Sequence, residues 1–593
     1  MSKFDYPRPQ LVRDNWLSLD GKWRFTFDVG GCCRVPTDEP AWTHEIEVPF
    51  CPESKLSGIG DTGFHPHCWY EREFELMPHS GRTLLHFGAV DYFARVWING
   101  RLVGEHEGGH TSFTIDISCA MEASGKQVVT VFVADDPADL AKPRGKQDWL
   151  LEPHSIWYPR TTGIWQSVWV EQVANTYIQT LRWTPIFETF EIGCEIVAPG
   201  DIKDDLFVEV KIWHGKELLS DDYYKLLNNE ANRKIALSDP GIDDSRNELL
   251  WSPERPTLLD AEVTLRHGDK VLDVVRSYTA LRSISVNRDR IMLNGRPYHL
   301  RLVLDQGYWP DGFMTAPDDA AYRRDVELAK EMGFNGVRKH QKIESPRYLY
   351  WADRLGLLVW EEMPSSYRFT QRAITRMVRE WTEALERDYS HPCVIVLVAF
   401  NESWGVPNLT LTQAHRNAVE ALYHLTKTLD ATRPVIGNDG WEASATDILG
   451  IHDYEGDPER LRQRYETSEH RVLFDQRRPG GRILTLDGFP HRGQPIVLTE
   501  FGGVACDLDA PKDESTWGYS RTHTAESFLD LYRRMLAVVN NTAMFAGFCY
   551  TQFADTFQEA NGLLKADRTP KVPLEMIKAA TRNAPPEGVF RQE

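Results

Sequence analysis

The sequence predicts a chain of three domains: an N-terminal β jelly roll, an immunoglobulin-like β-sandwich and a C-terminal (β/α)8 TIM barrel. A chain of 593 residues is too long for a single hydrophobic core. Its first half reads as short strands of alternating polar and apolar residues, whereas its second half alternates apolar strands with amphipathic helical stretches. These two patterns predict domains over residues 1–174, 175–284 and 285–593.

Alternation with a period of two residues identifies the two β domains. In the first domain, a strand predicted over residues 94–98 runs into Asn99-Gly100, the dipeptide that favours a two-residue β-hairpin turn. The second domain has its clearest strands at residues 207–212 and 261–265. A stretch of about 110 residues of this kind suits an immunoglobulin-like sandwich.

Eight apolar segments of the third domain predict the strands of a closed barrel. Asp318 and Gly333 stand where the two caps of an intervening helix would be. Eight strand-helix units over about 300 residues match a TIM barrel, whose active site lies at the carboxyl ends of the strands. The predicted strands cover residues 298–304, 336–340, 357–361, 394–400, 434–437, 448–452, 495–499 and 545–551.

Charge and composition narrow the possible partners. The formal net charge of −20, without any run of Lys or Arg, disfavours a nucleic acid. No segment approaches the ~18 consecutive apolar residues of a membrane helix, and the first residues lack the pattern of a secretory signal. The nine cysteines show no metal-ligand spacing. We therefore expect reduced thiols, a cytoplasmic location and no membrane contact.

Two acidic residues each follow a predicted barrel strand. Glu402 comes after the fourth strand and Glu500 after the seventh. Two carboxylates that converge at the mouth of a barrel can cleave a glycosidic bond, one protonating the leaving oxygen and the other acting at the sugar carbon. A separation of about 5 to 5.5 Å predicts retention of anomeric configuration, whereas about 6.5 to 9.5 Å predicts inversion.

Other residues at the strand ends are candidate sugar contacts. Asn401 stands beside Glu402, where its amide can hydrogen-bond a ring hydroxyl. Tyr454 is our candidate for orienting the Glu500 carboxylate, and aromatic faces can pack on a pyranose ring. The remaining substrate-binding candidates are Asp305, His340, Trp404, Asn438, Trp441, His452 and Gln552.

Six motifs spread over nearly the whole chain in a fixed order. They are Trp69-Tyr70-Glu71-Arg72-Glu73-Phe74, Gly88-Ala89-Val90-Asp91-Tyr92, Val96-Trp97-Ile98-Asn99-Gly100, Gly163-Ile164-Trp165-Gln166, Asn401-Glu402-Ser403 and Thr499-Glu500-Phe501-Gly502. In these motifs the chain resembles glycoside hydrolase family 2, which contains β-galactosidases, β-glucuronidases and β-mannosidases. The resemblance implies the same three domains and a retaining mechanism with Glu402 as acid/base and Glu500 as nucleophile.

The resemblance also bears on metals and substrate. In the β-galactosidases the region after the third strand supplies a metal ligand, but Glu361-Glu362 has no matching carboxylate and His partner, so we expect no metal and no cofactor. The β-glucuronidases bind the sugar carboxylate through an Asn and a Lys, and residues 560–565 lack that Asn-x-Lys spacing. Glucuronidase activity is therefore disfavoured, although Lys339 or Lys342 could contact an acidic substrate.

The sequence thus predicts a retaining exo-β-glycosidase that removes a terminal non-reducing sugar from an oligosaccharide or glycoside, with galactose as the first choice. The alternatives are a β-glucuronidase, a β-mannosidase, and a β-galactofuranosidase or α-L-arabinopyranosidase. A non-enzymatic alternative is a carbohydrate-binding protein with an inactive barrel, against which the presence of both acids argues. Dimers and tetramers are common among such relatives, so a homo-oligomer stays open.

Overall fold

The computed structural model describes residues 4–38, 40–202, 204–237, 244–466, 473–474, 476–477, 481–506 and 517–583. Within these ranges the chain is multidomain, with two β-sandwiches followed by an eight-stranded parallel barrel. The predicted fold class is therefore confirmed. No helix of the described ranges combines the length and the apolarity that a membrane span requires.

The N-terminal sandwich is built from two antiparallel sheets, with strand orders β1-β12-β5-β9 and β3-β2-β4-β10-β7-β8. Its core takes Phe25, Tyr70 and Val131 from one sheet and Phe87 and Val170 from the other. The strands are β1 Trp16–Ser18, β2 Gly21–Phe27, β3 His44–Val48, β4 His67–Glu75, β5 Arg82–Phe87, β6 Val90–Asp91, β7 Phe93–Ile98, β8 Arg101–Glu107, β9 Phe113–Asp116, β10 Lys126–Ala134, β11 Gly163–Ile164 and β12 Val168–Val173.

The predicted hairpin turn joins β7 to β8. Asn99 has φ 50° and Gly100 has φ 77°, so both turn residues adopt the left-handed conformation that the twist of a two-residue hairpin requires. Asn99 is held in place by its amide, which donates to Ala120 O at 2.8 Å and to Gln127 Oε1 at 2.8 Å.

The second sandwich has seven strands in two sheets, ordered β13-β14-β17 and β16-β15-β18-β19. Buried residues of both sheets, among them Ile192, Cys194, Val208 and Val263, form its core. The strands are β13 Thr180–Ile186, β14 Glu191–Val197, β15 Leu206–His214, β16 Glu217–Lys225, β17 Glu230–Ala236, β18 Leu259–His267 and β19 Lys270–Thr279. Three short antiparallel strands, β20 Ile284–Asn287, β21 Arg290–Leu293 and β22 Arg296–Pro297, lead into the barrel.

The barrel strands are all parallel, in the order β27-β26-β25-β24-β23-β32-β29-β28. The ends of β27 and β28 meet where His452 N donates to Gly440 O at 3.3 Å. Each of the eight predicted strands overlaps an observed one. They are β23 Leu300–Asp305, β24 Gly336–Lys339, β25 Leu358–Glu362, β26 Val394–Asn401, β27 Val435–Asp439, β28 Leu449–His452, β29 Ile496–Gly502 and β32 Phe545–Thr551, with β30 Val504–Ala505 and β31 Ser520–Arg521 as a separate short pair.

Helices cover the outside of the barrel. The first of them begins as predicted, because the Asp318 side chain accepts a hydrogen bond from Ala321 N at 2.9 Å. The helices of the described ranges are α1 Asp319–Glu331, α2 Pro346–Leu355, α3 Gln371–Asp388, α4 Gln413–Leu429, α5 Pro458–Tyr465, α6 Ala525–Asn541 and α7 Leu574–Thr581.

A buried arginine joins the two sandwiches. Arg13 donates from Nη1 to Glu171 Oε2 on β12 at 2.7 Å and from Nη2 to Asp273 Oδ2 on β19 at 2.7 Å. Its side chain is 4% exposed, so its charge is almost wholly removed from water. Without Arg13 the buried Asp273 would have no cation beside it among the described residues, whereas Glu171 would keep Arg8, whose Nη2 lies 3.0 Å from Glu171 Oε1.

Replacing Arg13 by Met should therefore lower stability by about 3 to 5 kcal/mol, because breaking a buried ion pair leaves an uncompensated charge. The measurement is the midpoint of the first unfolding transition in urea. Arg276→Met is the matched control, since Arg276 pairs with Asp14 at the surface, where such a pair contributes about 0 to 1 kcal/mol. Equal shifts in the two variants would contradict the junction role.

Candidate active site

The barrel brings the two predicted glutamates together. Glu402 follows β26 directly, and Glu500 lies within the carboxyl-terminal half of β29. One carboxylate oxygen of each, and one ring nitrogen of His452, lie within 4.8 Å of one another. The Glu402 side chain is 14% exposed and that of Glu500 is 5% exposed, so Glu402 is the more accessible acid.

A fully buried arginine on β24 connects the carboxylates. Arg338 donates from Nη1 to Glu500 Oε1 at 2.8 Å, from Nε to Glu362 Oε2 at 2.8 Å, and from Nη2 to Asn401 Oδ1 at 2.7 Å. Its Nη2 also lies 3.2 Å from Asp439 Oδ2. A guanidinium is suited to this position because its planar fork of donors serves several acceptors at once.

The surroundings of Glu500 favour its ionised form. Burial alone would raise the pKa of this carboxyl, but His452 and Arg338 outweigh burial and hold the pKa at about 2. Tyr454 OH donates to Glu500 Oε2 at 2.6 Å, the position predicted for it. Glu500 is thus a carboxylate at neutral pH, with one oxygen held by Arg338 and the other by Tyr454.

His452 lies between the two glutamates. Its Nδ1 is 2.7 Å from Glu402 Oε1, and its Nε2 is 3.5 Å from both Glu500 Oε1 and Asp439 Oδ2. Burial lowers the pKa of the imidazole, but the three neighbouring carboxyls raise it to about 10. At neutral pH the ring is therefore a cation that balances the acidic groups around it.

The backbone at Glu402 is held in an uncommon conformation. Glu402 has φ 53° and Ser403 has φ 59°, a left-handed pair without glycine. Two neighbours on β27 hold it there: Asp439 O accepts from Glu402 N at 3.0 Å, and Asn438 Oδ1 accepts from Ser403 N at 2.9 Å. Asn438, predicted as a sugar contact, thus has a supporting role in the turn that aims Glu402.

The lysines and the aspartate at the ends of β23 and β24 form a closed network. Lys339 Nζ donates to Asp305 Oδ2 at 2.7 Å and lies 2.8 Å from Glu344 Oε2. Lys342 Nζ donates to Gly307 O at 2.6 Å and to Glu344 Oε2 at 3.0 Å. The donors of both lysines are therefore engaged, and neither has the free charge that the sequence suggested for an acidic substrate.

A second polar network follows β32. Gln552 Nε2 donates to Glu559 Oε2 at 2.9 Å and to Asn561 Oδ1 at 2.5 Å. Gln306 Nε2 donates to Gln552 Oε1 at 2.9 Å, and Tyr158 OH donates to Glu559 Oε2 at 2.9 Å. Tyr158 belongs to the N-terminal sandwich, so the accessory domain reaches the mouth of the barrel.

Aromatic rings gather beside Glu402. The Trp404 ring lies 5.6 Å from Trp157 and 5.3 Å from Tyr367, measured between centroids. Trp157, from the N-terminal domain, donates from Nε1 to Tyr367 OH at 2.8 Å. Trp441 lies 5.6 Å from the His452 ring. These half-buried rings form an aromatic cluster beside the end of β26 and the His452 ring.

His340, the remaining predicted site residue, lies close to the nucleophile candidate. Its Nδ1 is 3.0 Å from Glu362 Oε1 and 3.9 Å from Glu500 Oε1. Burial lowers the pKa of His340 well below its ordinary range, so the ring is neutral. It can thus hydrogen-bond a sugar hydroxyl without adding charge.

The cluster of Glu402, His452 and Glu500 has the spacing of a metal site but not its chemistry. Its ligand atoms are engaged with other groups, because His452 Nδ1 lies 2.7 Å from Glu402 Oε1 and Arg338 Nη1 lies 2.8 Å from Glu500 Oε1. A second group, Asp353, His391 and Cys393, is occupied internally, because Asp353 accepts from Cys393 N at 2.9 Å and from Tyr278 OH at 2.8 Å.

Sequence reasoning missed several residues of the site. Arg338 is not one of them: its place on the second predicted strand makes it a candidate sugar contact, whereas in the structure it bonds Glu362, Asn401 and Glu500. Glu559, Tyr158 and Trp157 carried no signal, since they lie in loops that only the folded chain brings to the barrel. Tyr519, whose ring is stacked on Tyr454 with 3.4 Å between centroids, was missed for the same reason.

Comparisons with known proteins agree with this architecture. Residues 284–584 match the family model described as "Glycosyl hydrolases family 2, TIM barrel domain", and residues 60–172 match "Glycosyl hydrolases family 2, sugar binding domain". A GH2 β-galacturonidase from Eisenbergiella tayi superposes with a TM-score of 0.74 at 19% identity, covering 98% of this chain and 99% of that one. A β-glucuronidase from Ruminococcus gnavus, in complex with D-glucuronic acid, gives 0.76 at 20% identity, covering 97% and 99%.

The raised pKa of His452 predicts a pH dependence of stability. The charged imidazole gains its carboxylate partners on folding. Its contribution to the free energy of unfolding is therefore complete below the unfolded-state pKa of about 6.5 and is lost as pH rises through the folded-state pKa of about 10. The melting temperature of the protein should therefore exceed that of His452→Asn most below pH 6.5, and the difference should shrink towards pH 10. His424→Asn, an exposed histidine on α4, is the control. A difference that does not change with pH would contradict the assignment.

Proposed function

The chain belongs to glycosyl hydrolase family 2 and is a glycoside hydrolase, and we propose that it is a retaining exo-β-glycosidase with Glu402 as acid/base and Glu500 as nucleophile. One observation carries the proposal. The carboxylates of Glu402 and Glu500 approach to within 4.8 Å, whereas an inverting enzyme needs about 6.5 to 9.5 Å to admit a water between them.

The two acids have the surroundings that these roles require. Glu500 is ionised and held by Arg338 and Tyr454, so its carboxylate can attack the anomeric carbon. Glu402 shares a 2.7 Å hydrogen bond with His452 Nδ1, which places a proton within reach of the acid. Glu402 gives a proton to the leaving oxygen, and in the second step it takes one from the water that hydrolyses the glycosyl-Glu500 ester.

The terminal sugar has two candidate classes. The sequence favoured a galactoside, which the comparisons do not support. The similar structures are those of a β-galacturonidase and a β-glucuronidase, so uronides become the second class. Likeness at 19–20% identity shows the fold and does not choose between the two classes. The cytoplasmic location and the assembly of the chain stay predictions.

Removing each acid tests the roles separately. Glu500→Ala should lower kcat by about 10⁴-fold or more on every aryl β-glycoside, because attack on the anomeric carbon is lost. Glu402→Ala should lower kcat/KM by about 10²- to 10⁴-fold for poor leaving groups, but little for 2,4-dinitrophenyl glycosides, whose departure needs no protonation. Added azide should then yield a β-glycosyl azide. Glu575→Gln, an exposed carboxylate on α7, is the control. A loss of activity in Glu402→Ala that is equal for good and poor leaving groups would contradict the assignment of Glu402 as the acid.

The anomer released first tests the mechanism itself. A double displacement at carbon 1 inverts twice, so proton NMR of an ongoing reaction should show the β-anomer before mutarotation. Initial release of the α-anomer would refute retention, and with it the role of Glu500 as a covalent nucleophile.

A further inference from the structure

One lysine at the mouth of the barrel has no polar partner within the described part of the chain. Lys146 comes from the N-terminal domain and is only 6% exposed. Its ammonium makes no hydrogen bond or ion pair with the described residues, and it lies 5.7 Å from the centroid of the Tyr158 ring. Lys146 Nζ is not among the fully buried polar atoms that lack a partner, so it keeps access to solvent.

The loop that carries Lys146 is fixed against the barrel. Gly145 N donates to Ser365 O at 3.1 Å, and Tyr367 OH donates to Gly145 O at 2.7 Å. Gly145 has φ +59°, and a Cβ added to it would stand 2.3 Å from Gln341 O. Only glycine permits so close an approach. The backbone from which Lys146 extends is therefore fixed against the barrel, and its side chain is largely buried there.

The Lys146 charge acts on two groups of the site. Burial chiefly lowers the pKa of His340, and Lys146 lowers it further. Burial raises the pKa of Glu559, and Lys146 opposes that rise. The geometry agrees with this, because the Tyr158 ring lies 5.7 Å from the ammonium and Tyr158 OH bonds Glu559, which Gln552, directly after β32, also bonds.

The other cations named at this end of the barrel are paired. Arg338 bonds Glu362 and Glu500, whereas Lys339 and Lys342 both contact Glu344. A largely buried ammonium is stabilised when it is paired with an anion. Among the described residues Lys146 has no carboxylate within ion-pair distance, so an anionic group of a bound substrate would supply the missing partner.

We infer that Lys146 binds the C6 carboxylate of the terminal sugar, and that the enzyme hydrolyses β-linked uronides. This inference rests on the proposed glycosidase function. The neighbouring network leaves the amide donor Asn561 Nδ2 without a partner, and an amide together with an ammonium suits a carboxylate. Residues 560–565 lack the Asn-x-Lys spacing, and on this inference the lysine is instead supplied by the N-terminal domain.

Glu559 is the group that opposes an anionic sugar. Its burial raises its pKa and thereby favours the neutral acid. Tyr158 OH and Gln552 Nε2 both donate to its Oε2 at 2.9 Å. An alternative role for Lys146 is to balance the charge of Glu559 without contacting the substrate. Substitution of both residues can distinguish this role from substrate binding.

The first test uses the unaltered protein. Its kcat/KM on 4-nitrophenyl β-D-glucuronide or β-D-galacturonide should exceed that on the matching β-D-glucoside or β-D-galactoside by about 100-fold or more. A higher rate on the neutral sugars would overturn the inference and leave the glycosidase function intact. A higher rate on a 6-O-sulfated galactoside would show that the preferred anion is not a carboxylate, and would overturn the inference. No turnover of any β-glycoside would overturn the proposed function, and the inference with it.

The second test alters the lysine. Lys146→Met should lower the ratio of uronide to neutral kcat/KM by about 100-fold, mainly through KM, and Lys146→Arg should lower it less. Lys126→Met, an exposed lysine of the same domain, should leave the ratio unchanged. In a double variant with Glu559→Gln the ratio should stay low. Recovery of the ratio there would assign Lys146 to Glu559 alone and overturn the inference. If Lys146→Met does not fold, Lys146→Arg and the unaltered protein still decide.

Discussion

The site depends on one buried positive charge. Arg338 is enclosed by the barrel, and its guanidinium bonds Glu362, Asn401 and Glu500 while lying close to Asp439. Four strands thus supply partners to a single side chain. Without that cation, His452 alone of the described residues would offset the converging carboxylates in a region of low dielectric, where repulsion between like charges is strong. The arginine permits several acids to converge within the few ångströms that bond cleavage requires.

The same arrangement gives the two glutamates different characters. Glu500 is bonded by a guanidinium and a phenol, so its negative charge is stabilised on both oxygens. Glu402 lies on the accessible side, with a histidine as its partner and aromatic rings around it. Two identical side chains thereby have different partners and different access to solvent, which suits them to different tasks.

Local patterns in the sequence were sufficient for the fold and for the centre of the site. The apolar runs that end at Asn401 and around Glu500 are properties of single strands, and closure of the barrel then brings their ends together. The same reasoning found Tyr454. It failed for Lys146, Tyr158 and Trp157, because their positions depend on how one domain docks on another. The sequence also suggested that Lys339 could contact an acidic substrate, but the Lys339 ammonium is paired with Asp305 and Glu344.

The tight contact at Gly145 has a consequence for how such a protein can change over time. Because the accessory β domain approaches the barrel at Gly145 so closely that no Cβ is admitted, sequence changes in the two domains constrain each other at this contact. If Lys146 has the role proposed above, a recombination event that exchanged the N-terminal domain would change substrate preference and leave both glutamates of the barrel in place.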